Sequence, residues 1–139
     1  MKQKLSYPFL FLALVWMAII FWFSDQSSLF ALSADFWDTI FKKSAHAFAY
    51  GVLWWLWWRA SGGRTGLALL MTVLYALSDE WHQHFVPGRH GQLFDVGVDS
   101  VGALLALLFV TMRQEYVRRE KEQRRIERRR EKKRKKRDA

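Results

Sequence analysis

The chain has 139 residues, of which 51% are hydrophobic, and it contains no cysteine. One compact domain accounts for this length, and the lack of cysteine excludes disulfide bonds and thiolate metal sites. The formal net charge of +9 comes from the end of the chain, because residues 113–139 carry fifteen basic and six acidic residues, whereas residues 1–112 carry seven of each. The sequence thus describes a neutral, apolar body followed by a cationic tail.

The first apolar segment, residues 8–23, contains no charged residue. A transmembrane helix needs about 20 such residues, so this segment is nearly long enough to cross a bilayer. Because Lys2 and Lys4 precede it, a cleaved signal peptide is the alternative interpretation. Asp25 and the distance to a small-residue cleavage site at residues 31–33 argue against cleavage.

Three more apolar segments follow, at residues 45–58, 66–77 and 96–112. His46 and Asp99 interrupt the first and the last of these, and the middle one is predicted to continue as helix through Phe85. Each segment is shorter than a full span, so polar residues must complete the helix at one end. A soluble bundle would carry a polar stripe along each helix, which these segments lack.

The sequence therefore predicts an all-α fold with two parts. Residues 1–112 are expected to form a membrane bundle of four transmembrane helices. Residues 113–139 are expected to form a charged cytoplasmic tail that is helical or disordered.

Basic residues mark one side of this bundle as cytoplasmic, because lysine and arginine are retained on that side. Lys2 and Lys4 precede the first span, Arg59 and Arg64 separate the second from the third, and the basic tail follows the fourth. The sequence thus predicts a multi-pass protein of the cell membrane with both termini in the cytoplasm. The lysine pair at 42–43 departs from the rule, which suggests a local role for it.

Polar residues of the second and third helices lie at the outer end of the predicted bundle. Lys43, His46 and Tyr50 follow the i, i+3, i+7 pattern and so share one face of the second helix. Glu80 lies one turn before Gln83 on the third helix. We expect these faces to point into the bundle, because ionisable groups at membrane depth are costly unless they are paired.

The fourth helix adds a further polar stripe at the same end. Asp95 and Asp99 lie one turn apart and share a face with Gly102 and Ala106, which form a small-xxx-small pattern that lets a neighbouring helix approach closely. A Pro-Gly turn before this helix returns Arg89 toward the same place. The polar residues of all three helices are therefore expected to converge.

Such a cluster has two interpretations. It is either a functional site or a structural network of ion pairs that locks the helices together. The i, i+4 spacing of Glu80 and His84 would suit a metal ion, but no HExxH pattern is present, so no metal ligand is assigned, and the sequence leaves the cofactor unknown. The sequence also shows no phosphate loop and no cysteine nucleophile, and it leaves open whether the protein is an enzyme.

Four motifs resemble those of the VanZ-like family, a family of bacterial membrane proteins. They are Phe23-Ser24-Asp25-Gln26-Ser27, Lys43-x-x-His46-x-x-x-Tyr50, Ser78-Asp79-Glu80-x-His82-Gln83-x-Phe85-Val86-Pro87-Gly88-Arg89, and Asp95-x-x-x-Asp99-Ser100-x-Gly102-Ala103. The resemblance covers roughly residues 5–112, and the third motif is its most specific part. The family takes its name from a product associated with teicoplanin resistance. The resemblance thus implies a role in the cell envelope and in resistance to glycopeptide antibiotics.

The motifs and the helical faces together select the candidate site residues. The candidate catalytic residues are Glu80, His46, Asp95 and Asp99, and the candidate substrate-binding residues are Lys43, Tyr50, His82, Gln83 and Arg89. Lys43 and Arg89 would hold the phosphate or carboxylate of an anionic envelope lipid or a lipid-linked cell-wall intermediate, while Glu80 or Asp95 would act as acid or base with help from His46. The alternative is a non-catalytic scaffold or regulator. Asp99 departs from the family pattern, which often has asparagine there.

The tail has no counterpart in the family pattern. Charge pairs at i, i+4 such as Glu120 with Arg124 predict that the fourth helix continues to about Arg130. Like charges accumulate beyond that point, so residues 132–137 are expected to be disordered. We expect the tail to lie on the anionic lipid of the inner leaflet, because no aromatic residues are interleaved with its charges as a nucleic-acid interface would favour.

The predicted orientation can be tested with fused reporters. Because the basic residues are expected on the cytoplasmic side, a reporter fused after Ala139 should be cytoplasmic and one inserted near Gly91 should be external. Paired alkaline phosphatase and fluorescent protein fusions measure this directly. The opposite pattern would contradict the orientation and would move the polar cluster to the cytoplasmic side.

Overall fold

A computed structural model of the protein describes residues 4–25, 36–86 and 93–138. These residues form four α-helices and no strand: α1 Tyr7–Asp25, α2 Phe36–Ala60, α3 Thr65–Gln83 and α4 Leu93–Arg137. The predicted all-α class and the four predicted helices are thus confirmed within the described residues. Each helix contains one of the four apolar segments and extends beyond it into polar flanks.

Two of the described helices are long and apolar enough to cross a bilayer. They are α1 and the part of α4 that begins at Phe94. α2 and α3 have 25 and 19 residues, which gives them lengths of ~37 and ~28 Å. Charged residues reduce their hydropathy, including Lys42 and Lys43 in α2 and Asp79 and Glu80 in α3. That all four helices span the membrane stays a prediction.

Two predicted helix ends differ from the structure. α3 ends at Gln83 rather than at Phe85. α4 continues to Arg137, so the expected disorder of residues 132–137 was wrong. The extension adds turns to an existing helix without a new nucleation step, and four basic residues in the last turn interact favourably with the negative end of the helix dipole.

The chain divides into two compact units, Met1–Leu107 and Leu108–Ala139. In the first unit α2 packs against both α1 and α3. Ile20, Tyr50, Leu53 and Ala76 form the centre of this packing. In the second unit α4 continues as a single exposed helix.

Hydrogen bonds from side chains to backbone carbonyls reinforce the packing of α1 on its neighbours. The indole of Trp16 donates to the carbonyl oxygen of Ala49 at 2.9 Å, and the Tyr75 hydroxyl donates to that of Met17 at 2.5 Å. These bonds use polar atoms of residues that are otherwise apolar. α1 is thereby joined to both α2 and α3.

A tight turn at residues 61–64 reverses the chain between α2 and α3. Gly62 and Gly63 have φ values of 71° and 92°, a left-handed conformation that glycine adopts without strain. The Gly63 amide donates to the carbonyl oxygen of Trp58 at 2.8 Å and closes the end of α2. The two helices therefore run antiparallel, which brings Tyr50 of α2 next to Asp79 of α3.

α4 approaches α2 very closely at Gly102. A Cβ atom at Gly102 would overlap the backbone carbonyl of Ala47, and a Cβ at Gly51 would lie 3.0 Å from the Gly102 oxygen and 3.6 Å from the Ala106 methyl. The predicted close approach through Gly102 and Ala106 is therefore confirmed. Only glycine allows the backbones of two helices to meet in this way.

We expect Gly102→Ala to destabilise the contact between α2 and α4. The added methyl group must displace the Ala47 backbone, which should lower the free energy of unfolding by roughly 1–3 kcal/mol. Gly97→Ala is the matched control on the same helix, because a Cβ there meets nothing within 4 Å and alanine favours the helix by about 0.5–1 kcal/mol. Melting temperatures in detergent compare the two. A Gly102→Ala protein as stable as Gly97→Ala would contradict the close packing.

Candidate functional site

An ion pair joins α2 to the first turn of α4. Lys43 donates a short hydrogen bond from its ammonium group to Asp95 Oδ1. The same ammonium group lies 4.6 Å from the centre of the Phe94 ring, within range of a cation–π interaction. Lys43 keeps 34% of its side-chain surface exposed, so the pair lies at an accessible end of the site.

A second pair lies one turn further along both helices. His46 Nδ1 is 3.5 Å from Asp99 Oδ1, and the Asp99 side chain is only 1% exposed. The spacings of three residues on α2 and four on α4 match, since each corresponds to one helical turn. We call these two pairs the α2–α4 ladder; its first rung is accessible and its second rung reaches a buried carboxylate.

Asp79 of α3 is the centre of a buried hydrogen-bond cluster. Its Oδ2 accepts hydrogen bonds from the Ser24 hydroxyl at 3.0 Å, the Tyr50 hydroxyl at 3.3 Å and the Gln83 amide at 3.0 Å. The Gln83 amide also donates to the Ser24 oxygen at 2.6 Å. Because Ser24 lies on α1 and Tyr50 on α2, this Asp79 cluster ties three helices together.

The Asp79 cluster is enclosed by protein. Asp79 and Ser24 are each 1% exposed, and the Oδ1 atom of Asp79 has no hydrogen-bond partner among the described residues. One carboxylate oxygen therefore accepts all three hydrogen bonds that Asp79 receives, while the other lies buried beside it. Burying a carboxylate in this way is favourable only when such donors compensate for the lost hydration.

Tyr50 connects the Asp79 cluster to the ladder. Its ring stacks nearly parallel to that of His46, with 6.3 Å between the ring centres, and its hydroxyl reaches Asp79. Polar side chains thus follow α2 from Lys43 to Tyr50, over seven residues or ~10 Å of helix. Together they form one continuous polar region inside the bundle.

Glu80 and His82 occupy other positions on α3. Glu80 is buried. The His82 ring stacks on Phe21 of α1 at 4.4 Å, and its Nε2 atom is 3.5 Å from Asp25 Oδ1. The described contacts of His82 are thus with α1 rather than with the Lys43–Asp95 pair.

The structure brings together most of the residues that the sequence selected. Those in the ladder or the Asp79 cluster are Lys43, His46, Tyr50, Gln83, Asp95 and Asp99. Arg89 lies outside the described residues. In the described part of the chain, no group of three or more histidine, aspartate or glutamate side chains is arranged to hold a metal ion.

Sequence reasoning missed the central roles of Ser24 and Asp79. Two signals for them were present: Asp79 precedes Gln83 by one helical turn, and both Ser24 and Asp79 lie in the motifs quoted above. Neither signal predicts that Ser24 of α1 and Asp79 of α3 meet, because helical periodicity describes faces within one helix only.

The fold and the site define a small all-α protein whose apolar helices carry a partly exposed ion pair and enclose a hydrogen-bonded carboxylate. The VanZ/LLP1 family model matches residues 9–114. This match covers more than half of the chain and includes every helix of the site, so the protein belongs to the VanZ/LLP1 family, and the predicted family is confirmed. No curated protein and no solved structure showed significant similarity to the chain.

We expect Asp79→Ala to destabilise the protein strongly. The substitution leaves three buried donors without their acceptor, and each unsatisfied group costs about 1–3 kcal/mol. The free energy of unfolding should therefore fall by about 3 kcal/mol or more. Asp25→Ala is the matched control, because that carboxylate is half-exposed and its pairing with His82 is worth at most about 1 kcal/mol.

The comparison uses unfolding titrations of both variants in detergent. A larger loss for Asp79→Ala than for Asp25→Ala is expected. Equal stability of the two variants would show that the Asp79 cluster does not hold α1, α2 and α3 together.

Proposed function

We propose that this VanZ-family protein is a multi-pass protein of the bacterial cell membrane whose polar region binds the head group of an anionic envelope lipid. All four helices cross the membrane in this proposal, and both termini are cytoplasmic. Large apolar side chains on α1 and α4, such as Phe11 and Phe109, are exposed and would contact lipid. The Lys/Arg distribution supports the orientation, which places the ladder and the Asp79 cluster in the outer half of the membrane.

The observation that carries the proposal is the graded accessibility of the ladder. Its outer rung is partly exposed, since 34% of the Lys43 side-chain surface is accessible, and its inner rung ends at the buried carboxylate of Asp99. Lys43 has three N–H donors, and Asp95 accepts a bond from one of them, so an anionic head group can accept another. Arg89 would add a second, bidentate contact to a phosphate or carboxylate.

The inner rung suggests how a bound lipid would be processed. Asp99 Oδ1 lies 3.5 Å from His46 Nδ1, and a carboxylate beside an imidazole would help to orient it for general acid–base catalysis. Glu80 and Asp95 supply further carboxyl groups at the same end of the bundle. A head group held by Lys43 would lie next to a proton acceptor, which is the minimum that hydrolysis or group transfer requires.

The alternative is a non-catalytic scaffold or regulator whose charges build the fold. The pairing itself favours this candidate, since Lys43 pairs with Asp95 and His46 lies beside Asp99 across α2 and α4. Such a protein would influence resistance to teicoplanin-type glycopeptides by changing the access of the antibiotic to envelope lipids. A substitution that removes a charge should leave the stability unchanged if the charge binds a ligand, and should lower the stability if the charge is part of a scaffold.

Glu80→Gln separates the two candidates. For a binding or acid–base role, the amide should preserve folding and abolish function, because functional charges are often retained at a cost in stability. For a structural pair, the substitution should lower the stability by roughly 3–5 kcal/mol. We expect the first outcome, and the same for Lys43→Met and Arg89→Gln. Asp99→Asn should have the mildest effect on function, because the family pattern often has asparagine there.

The measurement combines the melting temperature in detergent with teicoplanin susceptibility in the same strain. Glu115→Gln is the matched control, because Glu115 is exposed on the tail. Well-folded variants with full activity would contradict the lipid-binding site. Unfolded variants would favour the scaffold.

A further inference from the structure

The tail of α4 carries a second surface that the proposed lipid site does not use. In the unit Leu108–Ala139 the helix runs without interruption to Arg137, and every residue from Arg118 to Asp138 is exposed. Glu120 and Arg124 form an ion pair along the helix at 2.6 Å. Because the tail is a regular helix, the position of each charge around the helix axis follows from its residue number.

Basic residues form one continuous stripe along this helix. Its members recur at three- and four-residue spacing: Arg118, Lys121, Arg125, Arg128, Lys132 and Lys136. At 100° per residue they lie within a sector of about 80° of the circumference that contains no acidic residue. All six acidic residues of the tail lie outside that sector. The basic stripe is ~27 Å long and consists of cations alone.

The charge also increases toward the end of the helix. Residues 128–138 carry nine basic and two acidic residues, whereas residues 113–127 carry six and four. Measured along the helix, Arg128 and Arg137 lie ~24 and ~38 Å beyond Met112, the last residue of the apolar segment. A charged lipid surface acts over a Debye length of only ~8 Å.

Three features thus disfavour the inner leaflet as the partner of the stripe. The charge is greatest far from the apolar segment. Tyr116, Val117 and Ile126 are the only large apolar residues of the tail and form no face that would insert into lipid. The helix of this unit contains no proline or glycine, where a bend toward the membrane would form.

We propose that the basic stripe binds the phosphate backbone of duplex nucleic acid in the cytoplasm, independently of sequence. A duplex presents one negative charge per ~1.7 Å of its axis, so a linear array of cations can neutralise several phosphates at once. The acidic residues outside the stripe face away from the bound duplex. This replaces the inner-leaflet lipid expected from sequence as the partner of the tail.

The test uses the full chain in nanodiscs of phosphatidylcholine, a lipid without net charge. The probes are a short fluorescent RNA duplex and the DNA duplex of the same sequence, and anisotropy is recorded over a range of salt concentrations. The stripe variant carries Lys121→Gln, Arg125→Gln, Arg128→Gln, Lys132→Gln and Lys136→Gln. Its matched control removes five charges from the opposite face through Arg119→Gln, Arg130→Gln, Lys133→Gln, Arg134→Gln and Arg137→Gln.

Both variants should remain helical, because glutamine is a good helix former and both substitutions reduce repulsion between like charges. We expect the wild-type chain to bind both duplexes. The stripe variant should lose at least about tenfold in affinity and about 4 units of the slope of log affinity against log salt, while the control loses less than about threefold. Binding of only one duplex would identify RNA or DNA as the partner.

Three results would overturn the proposal. The first is no duplex binding by the wild-type chain. The second is an equal loss in both variants, which would mean that total charge acts rather than the stripe. The third is protection of the tail from trypsin in nanodiscs containing phosphatidylglycerol without duplex binding in the neutral discs, which would make the inner leaflet its partner.

Discussion

The close contact of α4 with α2 at Gly102 is the constraint on which the polar region depends. Lys43 and His46 reach Asp95 and Asp99 only because the two backbones meet without a side chain between Gly102 and Ala47. If the helices were further apart, these side chains would lose their partners, which is unfavourable above all for the buried carboxylate of Asp99. Because the side chain of Gly102 is only a hydrogen atom, Asp99 and Asp95, one and two turns earlier on α4, can reach their partners on α2.

The Asp79 cluster stabilises a buried carboxylate in a different way. Here a carboxylate is stabilised by neutral donors from Ser24, Tyr50 and Gln83 rather than by an opposite charge. These donors come from each of the first three helices, so the cluster links α1 to the pair formed by α2 and α3. The ladder then adds α4 to α2. The two polar groups together connect all four helices, so the residues proposed to bind a ligand also contribute to stability.

Because the same residues would serve either proposed function, stability and activity must be measured together to distinguish the two functions. A lipid head group at Lys43 would compete with Asp95 for the ammonium donors, and that competition would be felt at the α2–α4 contact. If the residues that bind a ligand also hold helices together, ligand binding changes the contacts between those helices. The tail is different, since its charges lie on an exposed helix and the proposed binding of a polyanion would not involve the residues of the ladder or the Asp79 cluster.

Periodicity and composition determine the local architecture of this protein. The apolar segments predicted the four helices, and the i, i+3, i+4 spacings placed Lys43 with His46 and Asp95 with Asp99, because the pitch of an α-helix is a local property. The motifs also indicated the family that the family model then confirmed. The prediction for the end of the tail was wrong, because an established helix extends through like charges that would not form a helix alone.

Only the tertiary structure decided which side chains meet. Ser24 and Asp79 are separated by 55 residues and share a hydrogen bond, and nothing in the spacing within α1 or α3 predicts that contact. His82 was grouped with the site by its motif, yet it packs on Phe21 of α1. The sequence by itself determined the helices and their polar faces, because those follow from local hydrogen bonding and hydropathy. The partners were decided by how closely the helices approach one another, which depends on side-chain volume at distant positions such as Gly102 and Ala47.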